Sequence, residues 1–261
     1  MTSDCTISVL RDVLSVYDHR FLGLDGPQRD RLVDGTLRIL GTDGLDEATR
    51  AALPASYRLR AFCIRHGLRE ELEQLIRDEA AGNRAGAVVV GGRVYALYPY
   101  LRGVSRQDAD ITAEVGVEHR LDAVGRQGFN ARIRGRAALE QVETRRTDVE
   151  LVLRKRGGSG AEHRFPAVER EDGFEAFADL TLPGPGRWDV HVSATTLGVT
   201  REARFGTVRG PRLNTDTSKQ GIVSAGDATV YFTKGGHLAV LVRGESRPVP
   251  LSTRIRRRLI R

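Results

Sequence analysis

Asp108 and Asp110, in the run Arg-Gln-Asp-Ala-Asp (106–110), have the spacing with which two carboxylates hold a metal-bound nucleotide in many sugar transferases. That chemistry needs an apolar strand ahead of the pair and an α/β nucleotide fold around it, so that both carboxylates reach one cation. Here the pair lies in a polar loop ahead of an expected antiparallel strand, where Asp serves as a turn former. The six histidines, His19, His66, His119, His163, His191 and His237, never fall at HxH or HxxxH spacing, so metal ligation has little support. His66 is expected near a helix C-terminus, where a cation is favoured. The glycine clusters at 157–160 and 235–236 match neither G-x-G-x-x-G nor a P-loop, and no G-x-S-x-G elbow is present. Glu70-Glu71 and Glu171-Asp172 sit in polar runs, and no general acid/base pair emerges. No catalytic residue, metal ligand or cofactor is assigned.

Recognition chemistry is more plausible. Tyr95, Tyr98 and Tyr100 crowd one strand-like stretch and are the first candidates for contact with a polymer, although their alternation also suits core packing. The tail Leu-Ser-Thr-Arg-Ile-Arg-Arg-Arg-Leu-Ile-Arg (251–261) could form a short helix with Leu251, Ile255 and Leu259 on one face. Arg254, Arg256, Arg257, Arg258 and Arg261 would surround that face and be drawn to an anionic lipid surface or polyphosphate chain. The plain alternative is a solvated end.

Charge limits these ideas. The net charge of +7 is concentrated at the end: residues 243–261 carry seven Arg and one Glu, leaving about +1 for everything before. A basic nucleic-acid face is therefore not expected. Of 41 basic residues only Lys155, Lys219 and Lys234 are lysines. That bias reads as a GC-rich genome rather than as phosphate recognition. With 40% hydrophobic and 29% charged residues the composition is that of a globular protein. No stretch reaches 18 apolar residues, and the start, Met-Thr-Ser-Asp-Cys-Thr, lacks a basic region and a long apolar run. Two cysteines, Cys5 and Cys63, suit a reducing compartment and give no disulfide framework. The expectation is a cytoplasmic protein, with peripheral contact at the inner face of the membrane through the tail.

The elements that would position these residues divide near Asn83, where the apolar period changes from helical to alternating. Leu10, Val13, Leu14 and Tyr17 form one helical stripe. Pro27 suits a first turn, and Leu32, Val33, Thr36, Leu37 and Leu40 line the helix that Gly41 stops. Asp46 is a plausible N-cap for a short helix, and Pro54 restarts the chain. Leu59, Phe62, Cys63 and His66, then Leu68, Leu72, Leu75 and Ile76, complete four or five helices stacked as antiparallel neighbours. Residues 80–86 read as a linker. Ala87–Val90 and Arg93–Tyr98 flank Gly91-Gly92 as a hairpin. Strands are expected at Ile111–Arg120, Asn130–Ala138, Asp148–Arg154, Phe174–Leu182, Trp188–Ala194 and Arg201–Val208. A last hairpin, Ala228–Thr233 and His237–Val242, is expected to close a sheet edge or pair with the early one. Trp188 is placed at the core of a sandwich, with an exposed sugar-stacking ring as the alternative. The spacing thus predicts an α+β chain: a helical unit over 1–82, an antiparallel β-sandwich of immunoglobulin type over 83–244, and a basic tail over 245–261.

Three stretches, SVLRDVLSVYDHRF, DRLVDGTLRIL and ASYRLRAFCIRHGLREELEQLI, resemble the helical linker after the catalytic domain of family 2 glycosyltransferases of Gram-positive, particularly actinobacterial, cell envelopes. Among characterised groups they resemble the wall teichoic acid polyribitol-phosphate N-acetylglucosaminyltransferases. VVVGGRVYALYPYLR, RWDVHVSA and TVYFTKGGHLAVLV are similar to the immunoglobulin-like continuation of those enzymes. The resemblance implies roles in oligomerisation and in holding an anionic polymer acceptor. It also implies that the nucleotide-sugar site lies in a domain ahead of the linker, so no family catalytic residue has a counterpart here. The expected object is a non-catalytic C-terminal piece. Its expected partners are an anionic cell-wall polymer or polysaccharide, a glycosyltransferase catalytic domain, a second copy of itself or an anionic membrane surface, with no specific nucleic acid. Two other readings stay open: a small transferase with a site around Asp108 and Asp110, and an adaptor that works through the arginine tail.

Overall fold

The computed structural model describes residues 3–144, 146–157, 160–211, 213 and 223–244. The chain divides into two compact units, one of Met1–Val115 with Leu139–Arg145 and Thr196–Val199, the other of the remaining residues. The helix-to-strand transition near residue 83 falls inside the first of them.

The first unit holds helices α1 (Ser3–Ser15), α2 (Gly26–Leu40), α3 (Glu47–Ala52), α4 (Ala55–Arg65) and α5 (Arg69–Ala80), as the apolar stripes require. Asp25 caps α2 in a reciprocal capping box with Gln28, and Pro27 lies in the first turn. Asp46 caps α3 through the Thr49 amide. Leu10, Leu14, Tyr17, Leu40, Leu59, Cys63, Leu72 and Ile76 are all buried. Tyr17 and Thr36 share a buried hydroxyl contact of 2.6 Å, so the polar tip of the stripe has a partner. The hairpin of β1 (Gly86–Val90) and β2 (Arg93–Leu97) forms its own two-stranded sheet in this unit. Gly91 and Gly92 both have positive φ, which the tight turn requires and which glycine alone adopts cheaply. A one-turn helix, α6 (Arg106–Ala109), follows.

The second unit is a large antiparallel sheet. Its strands are β3 (Val117–Gln127), β4 (Asn130–Leu139), β5 (Asp148–Lys155), β6 (Glu162–Arg170), β7 (Gly173–Asp179), β8 (Gly186–Thr196), β9 (Val199–Arg204), β10 (Val223–Ala225), β11 (Ala228–Phe232) and β12 (Leu238–Val242). The order is β10-β11-β12-β8-β5-β6-β7-β4-β3, with β9 beside β8. The two ends of that path, β10 and β3, come together, so the sheet nearly closes on itself. This is compatible with a sandwich. The change of layer is made by β6: Glu162–Pro166 pair with β5, and Ala167–Arg170 pair with β7. Pro166, which has no amide hydrogen to give a ladder, stands where the strand changes partner.

Leu151, Leu153, Val190, Val192, Phe205 and Val230 form the interior of this unit. Trp188 belongs with them at 2% exposure. Its indole nitrogen donates to the Gly184 carbonyl at 2.9 Å, which satisfies its one polar atom. The sugar-stacking alternative for Trp188 is thereby overturned.

Three further expectations need correction. Ile111–Arg120 is not one strand: Glu114 and Val115 donate back to the Ile111 carbonyl in a turn, and the strand starts at Val117. The last hairpin pairs with β8 through β12 and not with the early hairpin. Strand β6, Glu162–Arg170, forms where the spacing predicts no strand.

Candidate functional site

The acidic pair in the first unit is fully engaged with its own chain. Ser105 caps α6, and its hydroxyl donates to Asp108 Oδ2 at 2.7 Å. Arg50 Nε donates to Asp108 Oδ1 at 2.8 Å. Asp110 accepts from the Thr112 amide at 2.9 Å and from Arg93 Nη1 at 2.9 Å. Burial alone would raise the Asp110 carboxyl, but the Thr112 and Arg93 hydrogen bonds outweigh it and hold it below its usual range. Beneath the pair lies Arg58, which is 6% exposed. It donates to the carbonyls of Leu53 at 2.7 Å and Asp108 at 3.2 Å, and to that of Asp110. Asp108 and Asp110 thus anchor a loop to α3, α4 and β2, each facing a different arginine rather than a shared cation. Among the described residues no group of three His, Cys, Asp or Glu is placed to hold a metal ion.

Tyr95, Tyr98 and Tyr100 are half-buried. The rings of Tyr98 and Tyr100 meet edge to face at 5.9 Å. Tyr100 donates to Asp78 Oδ2 at 2.9 Å. Burial first, and the Asp78 carboxylate second, push its hydroxyl well above the usual range. Tyr95 and Tyr98 line a shallow depression of about 360 Å³ with Leu59, Val88, Leu97 and Leu101. Arg254, Arg256, Arg257, Arg258 and Arg261 lie outside the described residues. Among the described residues no helix is long and apolar enough to cross a membrane.

A constellation that the spacing did not single out lies in the second unit. On β4 the inward residues are Ala131, Ile133 and Gly135, all buried. Arg132, Arg134 and Arg136 therefore share the outer face. On β7, Phe174, Ala176 and Ala178 point inward and are buried, which turns Glu175 outward, directly opposite Arg134. Yet Glu175 is only 2% exposed. What covers it is arginine. Arg134 Nε donates to Oε1 at 2.7 Å, Arg132 Nε donates to the same oxygen, and Arg170 Nη2 donates to Oε2 at 2.8 Å. The Arg134, Arg170 and Arg132 hydrogen bonds, in that order, lower the Glu175 carboxyl to about 2. The Nη groups of Arg132 and Arg134 make no further hydrogen bond among the described residues.

Beside this cluster opens a cleft of about 780 Å³, lined by Arg120, Asp122, Arg134, Arg136, Arg170, Asp172, Phe174, Gly210 and Pro211 among others. Gly135 sets its wall. A Cβ there would run into the Arg120 carbonyl and the Phe205 ring, so only glycine lets β4 lie this close to β3. Arg120 is paired with Asp122 at 2.6 Å, and Arg136 donates to the Asp172 carbonyl at 2.9 Å. Arg120, like Arg132 and Arg134, is held through Nε and makes no Nη hydrogen bond among the described residues; what sets Arg132 and Arg134 apart is that one buried carboxylate fixes both, with Arg170 held on its other oxygen by Nε and Nη2. Elsewhere on the sheet Arg164 spends Nε, Nη1 and Nη2 on Glu162, Glu150 and Glu202, and Arg154 joins the same ion-pair network through Nη2.

The sequence did carry a signal for the cleft: Arg132-Ile-Arg-Gly-Arg136 alternates strictly. In a chain so rich in arginine the run did not stand out. Glu175 and Arg170 could not be joined to it without the register.

The architecture is that of an α+β protein with a helical unit and a large antiparallel sheet. No family model matches the sequence, and no curated protein gives a significant match. Among solved structures it is similar to a fragment of S. aureus TarS comprising residues 217–571, with a TM-score of 0.49 and 15% identity over 87% of this chain and 64% of that one. A second S. aureus TarS structure gives a TM-score of 0.41 and 16% identity over 85% of this chain and 40% of that one. The chain therefore spans less than two thirds of either.

Proposed function

We propose that this chain is a non-catalytic accessory region of a cell-wall polymer glycosyltransferase, its β unit of immunoglobulin type, which engages a sugar- or polyol-phosphate acceptor. The observation that carries the proposal is the arginine face of β4 beside the cleft. Guanidinium groups recognise phosphate oxygens through paired, charge-assisted hydrogen bonds, and here two of them keep their outer nitrogens open among the described residues. The sequence resemblance to teichoic-acid-type transferases supplies the class of polymer. Tyr95 and Tyr98, in the depression of the first unit, are the aromatic candidates for contact with sugar rings. Transfer chemistry would belong to a separate nucleotide-sugar domain working at the cytoplasmic face of the membrane. The proposal is tested by fluorescence anisotropy of end-labelled poly(glycerol phosphate) with the full chain. Binding that weakens with added salt and falls on Arg134→Ala is expected. Equal binding by wild type and Arg134→Ala, or turnover of a UDP-sugar by the chain alone, would overturn it.

A further inference from the structure

We infer that Glu175 is a positioning residue of the arginine face of β4 beside the cleft: it grips Arg132 and Arg134 by Nε, with Arg170 held by Nε and Nη2 on its other oxygen, and so presents the outer nitrogens of Arg132 and Arg134 to the phosphodiester groups of a polyanion. The inference deepens the reading given under Proposed function and rests on it.

Charge alone would argue against such a residue. A carboxylate among the arginines of an anion site lowers the local positive charge and should weaken binding. Geometry argues the other way. The register places Glu175 opposite Arg134, and an outward strand position is ordinarily solvated. Glu175 is nevertheless almost fully enclosed by three guanidinium groups. An arginine in solution loses rotamer freedom when it captures an anion. Arginines already immobilised by a buried counter-charge lose less, so the site is preorganised. With Nε occupied, a guanidinium still offers Nη1 and Nη2, a pair that matches the two non-bridging oxygens of a phosphodiester. Arg132 and Arg134 are two residues apart on one strand, roughly 7 Å by the strand rise. That spacing suits a chain of repeated anions better than a lone ion. Phe174, the one aromatic among the described residues that line the cleft, is buried, which gives bases no platform there to stack on and favours a polyol or sugar phosphate over a single-stranded nucleic acid.

The test compares wild type, Glu175→Gln, Arg134→Lys and Arg134→Ala, all as the full chain, with end-labelled poly(glycerol phosphate) at fixed salt. Glu175→Gln makes the protein more positive by one charge, so plain electrostatics expects tighter binding. Positioning expects binding weaker by roughly three- to tenfold, the scale of one lost charge-assisted contact. Arg134→Lys keeps the charge and removes the fork, and is expected to lose a similar factor. If Glu175→Gln does not fold, Glu175→Asp decides the question, because it keeps the charge and shortens the grip: weaker binding is expected, and unchanged binding would remove the positioning role. Loss of binding in Arg134→Ala together with unchanged or tighter binding in Glu175→Gln would remove the positioning role and leave the site. No binding by wild type, or none lost in Arg134→Ala, would remove the site. Tighter binding of an oligothymidylate than of the polyol phosphate would overturn the ligand class.

Discussion

Arg134 and Glu175 stand opposite each other on neighbouring antiparallel strands, and the arginine reaches the carboxylate through Nε at 2.7 Å. A contact of this kind makes folding depend on pH. The ordinary Glu value is 4.5, and the folded protein holds Glu175 at about 2. The unfolded chain therefore takes up a proton at this position first as pH falls. The stabilisation is fully present above the unfolded value and is lost between about pH 4.5 and about pH 2. In urea unfolding, the midpoint difference between wild type and Glu175→Gln is expected to be constant above roughly pH 5.5 and to shrink steadily below about pH 4.5. A difference that holds unchanged down to pH 3 would show that the arginines do not depress this carboxyl.

Asp108 and Asp110 should behave as structural residues. Asp108→Asn weakens the contact with Arg50 and leaves a half-buried guanidinium poorly paired. The expected cost is about 1–3 kcal/mol of stability, read from chemical denaturation. Mn²⁺ or Mg²⁺ should leave the melting temperature of wild type where it is. A rise on adding Mn²⁺ that disappears in Asp108→Asn would restore the reading of the pair as a metal site.

Much of the helical unit was legible because its signals are local. A capping Asp, a proline in the first turn and a stripe every three to four residues each act within one turn of chain. The Gly91-Gly92 hairpin was legible for the same reason. What escaped depends on partners distant in sequence. Strand β6 carries a proline and mostly exposed polar residues, with Phe165 alone fully buried. A strand that changes layers half-way cannot show a single alternation. Ile111 and Val115 looked like the start of a strand, but the Ile111 amide donates to the Val94 carbonyl, and the chain turns there. The cleft needed the register of β4 against β7 to bring Glu175 to arginines some 40 residues away. Alternation places a side chain on a face; it does not name its neighbour.

Trp188 offers an internal probe, since it is the chain's only tryptophan. Its ring lies inside the second unit, near His163 at 5.1 Å and with the Lys155 ammonium 5.7 Å away. Emission should be blue-shifted and resistant to acrylamide, and saturating oligosaccharide should leave it unchanged. Trp188→Ala is expected to cost about 3–5 kcal/mol, the range for removing a large core aromatic. Trp188→Phe should cost less, because it keeps most of the volume and gives up the hydrogen bond to Gly184. A ring that stacked on sugar at the surface would reverse the pattern: ready quenching by acrylamide, a spectral shift with ligand, and little loss of stability on truncation.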